Sequence, residues 1–132
     1  MESTQLPLEL VSSFLSIVVL VFIFLKYYQY KKKLSVIKGL NQLKENNSLT
    51  PEDKDFIKKN LKDYKAAFIQ DESRIKMAYP IFILVGGILV AFLSFQEAMI
   101  HLNVIIVVYI YMQISKIHNK NFVGFLEELN EE

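Results

Sequence analysis

Hydrophobic positions gather in three stretches, residues 8–28, 77–95 and 98–115, and polar positions fill the gaps between them. Each stretch is near the roughly 20 residues that cross a ~30 Å hydrocarbon core as an α-helix. The pattern predicts an all-α integral membrane protein with three transmembrane helices. Between the first two stretches, residues 29–76 keep a helical period. Ile37, Leu40 and Leu43 continue downward from the first span, and Asn46-Asn47-Ser48 is a polar turn cluster. Thr50-Pro51-Glu52-Asp53 then supplies a hydroxyl N-cap, proline at the first helical position, and acids at the positive end of a helix dipole.

The helix that starts there carries Ile57, Leu61, Tyr64 and Phe68 on one stripe, predicted to face one partner. Asp71 and Glu72 interrupt the stripe, Ile75 resumes an apolar face, and Pro80 is expected to kink or restart the helix. The expected architecture is an antiparallel helical hairpin in the cytoplasm whose arms extend spans one and two. Residues 116–132 are expected to form a short amphipathic tail through Phe122, Val123, Phe125, Leu126 and Leu129. Its acidic face suits Lys58, Lys59, Lys62 and Lys65 of the hairpin better than anionic lipid.

Charge orients this scheme. All 15 Lys and Arg lie between Lys26 and Lys76 or from Lys116 onward, each block abutting an apolar stretch. The positive-inside bias therefore places residues 26–76 and 116–132 in the cytoplasm, with the N-terminus and a short turn around Phe95 to His101 outside. The first stretch is not expected to be cleaved as a signal peptide, because Glu2 and Glu9 precede it and Lys26 to Lys33, with an aromatic belt of Tyr27, Tyr28 and Tyr30, follow it. A single unbroken helix from Ile81 to Ser115 would be about 52 Å long. It would sink Gln96, Glu97, His101 and Asn103 near mid-membrane, so a hairpin between spans two and three is expected. The formal charge of +1 averages a basic middle against the acidic tail Glu127, Glu128, Glu131 and Glu132, and gives no ground for a nucleic-acid partner.

Residues 37–61 resemble the short bacterial helix-turn-helix segment called SHOCT. The shared elements are Leu40 and Leu43, the polar turn, Leu49-Thr50 followed by acids, then Phe56 and Leu61. The aromatic falls about two residues late, and the segment is internal here whereas that family usually carries it at a chain terminus. The resemblance covers about a fifth of the chain and implies an oligomerisation or docking module.

Candidate chemistry is sparse. Gly87, Ala91 and Ser94, with Gly86 adjacent, line one side of span two and would permit close approach of span three, span one or another copy. Ser12 and Ser16 are a weaker version in span one. Glu97 and His101 stand four apart at the start of span three as a polar pair, suited to an ion pair, a proton relay or half a metal site, with an ordinary interfacial role the plainer expectation. Asn103 sits about 200° round the helix from His101, so the three do not converge. His118 is seventeen residues beyond His101, about 25 Å along a straight helix, and a haem held by either would need a ligand from another chain. The chain has no Cys, Gly-rich phosphate loop, H-E-x-x-H or G-x-S-x-G.

No catalytic, cofactor or metal site is therefore expected. The sequence favours a small non-enzymatic scaffold or accessory subunit that oligomerises, or docks a membrane-protein partner, through the hairpin. A homo-oligomeric pore former, holin-like or an effector channel, is the alternative, and an anchor subunit of a redox or transport complex the second. Lys, Asn and Ile usage suggests a bacterial inner membrane, N-out and C-in.

Overall fold

The computed structural model describes residues 2–130, with side chains from residue 9 onward. The chain forms three helices in order: α1 (Glu2–Glu45), α2 (Pro51–Phe92) and α3 (Phe95–Asn130). Each is long and apolar enough to cross a membrane. With 44, 42 and 36 residues they exceed the roughly 20 that a crossing requires.

Both reversals are built from local chemistry. At the end of α1 the Ser48 N–H donates to the Leu43 carbonyl (2.8 Å) and the Asn47 N–H to the Lys44 carbonyl (3.1 Å). With Asn47 in the left-handed region at φ 55°, this is a Schellman cap carried by asparagine in place of glycine. Three residues on, Thr50 Oγ1 accepts from the Asp53 N–H and Asp53 Oδ2 accepts from the Thr50 N–H, each at 3.1 Å. That reciprocal capping box starts α2, with Pro51 at the first helical position where no N–H is needed. The second reversal is only Leu93 and Ser94. Ser94 Oγ accepts from the Glu97 N–H at 3.3 Å, and the Ser94 carbonyl accepts the first helical bond, from Ala98, at 2.9 Å.

Three expectations change. Pro80 does not restart α2, which runs through it unbroken; a proline ring is accommodated where local backbone adjustment re-satisfies the freed carbonyl. Residues 95–101 are the first turns of α3, not a loop, because Ser94 caps the helix directly. Residues 116–130 are not a separate tail helix but the continuation of α3; no Gly cap or Pro interrupts the stretch after Ser115, and Gly124 is tolerated within the helix. Glu131 and Glu132 lie outside the described residues.

The chain divides into two units, each with a segment of every helix. The first holds residues 1–24 and 73–114. Among the described residues its buried side chains are Ser12, Ile75 and Ala98, while large apolar residues point outward, among them Phe24 (72% exposed), Leu84 (65%) and Phe92 (81%). The second holds residues 25–72 and 115–132 and packs a core of Leu40, Ile57, Leu61, Leu126 and Leu129, bordered by Ile37, Leu49, Tyr64 and Val123.

The turn is predicted to tolerate Asn47→Gly, since glycine is the preferred residue at this cap. Asn47→Val is strained in the left-handed region, and Thr50→Ala should cost about 1 kcal/mol of stability through the lost cap. Thermal unfolding in detergent, followed by circular dichroism, should rank the proteins as Gly at or above wild type, with the other two below it.

Candidate functional site

Polar side chains gather at one place in each unit. In the second unit, α2 supplies Asp71, whose Oδ2 accepts hydrogen bonds from Ser115 Oγ (3.0 Å) and Asn119 Nδ2 (2.6 Å) of α3. Ser115 and Asn119 stand one turn apart, so both reach the same carboxylate. On a neighbouring face of α3, His118 stacks on Tyr30 of α1 with ring centroids 4.2 Å apart. Tyr30 also meets Phe122 at 5.0 Å, and Phe122 meets Tyr64 of α2 at 5.1 Å. Lys33 Nζ lies over the Tyr64 ring at 5.4 Å, and Asn121 Nδ2 donates to the Tyr30 hydroxyl at 3.3 Å. An aromatic ladder thus joins all three helices.

Burial holds the His118 imidazole below its ordinary titration range, and the positive charges of Lys26 and Lys33 push the same way. Lower in the unit, Lys65 pairs with Glu127 at 3.3 Å, and Lys44 Nζ donates to the Glu128 carbonyl (2.7 Å) in the last turn of α3. The first of these is half exposed and adds little stability; the second satisfies a carbonyl that the helix end leaves open.

In the first unit, Ser12 of α1 and His101 of α3 share a hydrogen bond of 2.6 Å between Oγ and Nδ1. Ser16, one turn along α1, buries its Oγ without a partner among the described residues. Nearby on α3, Tyr109 contacts Phe82 edge-on and Tyr79 obliquely, and its hydroxyl accepts from Gln113 Nε2 at 2.9 Å. An apolar recess of about 340 Å³ lies among Val19, Phe22, Val108 and Tyr111.

The sequence-derived residues fall differently than their motifs suggested. Ile57 (1% exposed) and Leu61 are core residues, Tyr64 and Phe68 are half-buried, and Tyr64 packs on Phe122. Ile57, Leu61 and Tyr64 of the stripe are therefore packed with residues of α1 and α3 of the same chain. Gly87 faces open space and Ala91 is exposed; Gly86 is the close approach, where an added Cβ would lie 3.3 Å from Leu102 of α3. Ser94 belongs to the cap of α3, not to a face of α2. His101 bonds Ser12, while Glu97 sits in the first turn of α3, where a carboxylate suits the helix dipole. Among the described residues no group of three or more His, Asp or Glu side chains is placed to hold a metal ion.

Asp71 with Ser115 and Asn119, and Tyr30 with His118, were not singled out as groupings from the sequence. Their signal is the spacing Ser115, Asn119, Phe122, Leu126 and Leu129, one helical face that changes from polar to apolar. The chain matches no protein-family model, no curated protein and no solved structure.

Asp71→Ala leaves Ser115 and Asn119 without their acceptor and should lower unfolding stability by about 1–3 kcal/mol. The pH dependence follows from His118. A histidine whose folded pKa lies below its unfolded value of about 6.5 gives the unfolded chain more bound protons in that window. Stability is thus full above that value and falls as the pH drops through it. Melting temperatures between pH 8 and pH 5 should show this loss, and His118→Gln should flatten it.

Proposed function

We propose that this chain is a small, non-enzymatic membrane scaffold or accessory subunit. In this reading the first unit sits in the bilayer, multi-pass with N-out and C-in, the simplest setting being a bacterial inner membrane; the second unit stands in the cytoplasm and meets partner proteins. The observation that carries it is the opposite facing of apolar side chains in the two units. Ile57 and Leu126 are each 1% exposed in the second, as in a water-soluble core, whereas many large apolar residues of the first, Phe24, Leu84 and Phe92 among them, face outward, as lipid requires.

Charge supports the same division. Every Lys and Arg except Arg74 and Lys76 belongs to the second unit, and those two lie within four residues of its boundary at Ser73. The polar clusters favour a structural role. Asp71 is engaged by Ser115 and Asn119, and the Ser12–His101 pair has no carboxylate orienting its imidazole among the described residues, which a serine nucleophile with a histidine base would need. Phe56 and Ile69 remain exposed on α2, one on either side of the buried stripe, and are the contact points such a scaffold offers. The SHOCT resemblance of residues 37–61, which implies a docking module, is in keeping with this reading.

The chain lacks Cys, so single cysteines report topology cleanly. In right-side-out membrane vesicles, Gln96→Cys should react with an impermeant maleimide, and Asn46→Cys only after the vesicles are opened. The double change Phe56→Ser with Ile69→Ser should leave the melting temperature nearly unchanged while releasing proteins that co-purify in mild detergent. Labelling of Asn46→Cys from outside would defeat the topology, and unaltered co-purification the scaffold surface.

A further inference from the structure

Between residues 98 and 115, the exposed residues of α3 are Met99, Asn103, Ile106 and Ile110. Their spacing of four, three and four is one narrow stripe, the seam along which two helices pack side by side. Three of them are apolar, as a lipid-facing surface should be, but Asn103 is not. Its side-chain amide has no hydrogen-bond partner among the described residues, and it lies about 5 Å along the helix from the middle of this segment. A carboxamide held there carries two donors and an acceptor that hydrocarbon cannot satisfy. The other amide of the same segment, Gln113, is satisfied inside the chain by Tyr109.

We propose that this stripe is a seam between two copies of the chain, with the Asn103 amides hydrogen-bonded to each other. The proposal rests on the membrane reading above. Copies inserted with one topology present their α3 helices parallel, so a two-fold axis along the membrane normal sets residue 103 opposite residue 103. An amide is both donor and acceptor, so each copy supplies what the other lacks, and no different protein is needed to complete the pair. Met99, Ile106 and Ile110 flank the contact above and below and exclude lipid from it.

The test uses the full chain reconstituted in phosphatidylcholine–phosphatidylglycerol vesicles, with donor- and acceptor-labelled copies mixed at graded protein-to-lipid ratios. Energy transfer should report self-association that Asn103→Leu weakens about five- to thirty-fold, the range of an interhelical hydrogen bond in lipid, and that Asn103→Gln largely retains. Because Asn103 is exposed and its side chain makes no hydrogen bond among the described residues, helix content should be unchanged in both variants. Single cysteines should cross-link at 99, 103, 106 and 110, and much less at Ile105 and Val108. Absence of self-association, equal association of Asn103→Leu and wild type, or cross-linking that peaks on another face would each overturn the seam. If Asn46→Cys and Gln96→Cys label as expected while copies stay separate, the seam alone fails; if they do not, the membrane topology fails first.

Discussion

The rest of the second unit depends on one contact: the closure of α3 over the α1–α2 hairpin. Two helices alone have a seam but no interior. Phe122, Leu126 and Leu129 convert the stripe of Ile57 and Leu61, with Leu40 opposite, into a core from which water is excluded. Full burial of a side chain of this size contributes about 1.5–3 kcal/mol. The polar groups are arranged at the margin of that core. The carboxylate of Asp71 holds α3 through two donors, and Lys44 secures its last turn through a backbone carbonyl.

The first unit buries fewer side chains among the described residues. Apolar side chains gain little by leaving acyl chains for one another, so helices in lipid rely on close backbone approach and hydrogen bonds. In the membrane setting proposed above, the approach would be Gly86 against Leu102, and the hydrogen bond Ser12 to His101. Tyr109 adds a third fixing point, edge-on to Phe82. These fixings hold helices whose buried side chains, among the described residues, are Ser12, Ile75 and Ala98.

The three long apolar helical stretches and the first reversal were legible because their signals are local. Asn46-Asn47-Ser48 and Thr50-Pro51-Glu52-Asp53 specify a stop and a start within a few residues, and both form as their side-chain chemistry dictates. The partner of the Ile57–Phe68 stripe was legible only through charge: the acidic tail was matched to the hairpin lysines, and Lys65 does meet Glu127, whereas periodicity shows that a face is buried and not what buries it. Residues 116–130 read as a separate tail since charge and polarity change after Ser115; the face from Ser115 to Leu129 shows that the helix carries on. Glu97 and His101 were joined by their spacing, but Ser12, 89 positions from His101, is the nearer hydrogen-bond partner, and no local pattern encodes such a distance.

The order in which the core is completed has a consequence for biosynthesis. Ile57 and Leu61 leave the ribosome well before Leu129, and at 5–20 residues per second the interval for the 68 intervening positions is roughly 3–14 s. Throughout it the row of oily side chains on the nascent hairpin is shielded by α1 alone, without the cover that α3 later supplies. A growing chain in that condition is a natural client for a chaperone or a protease, and a message cut short before Phe122 would leave its product there for good.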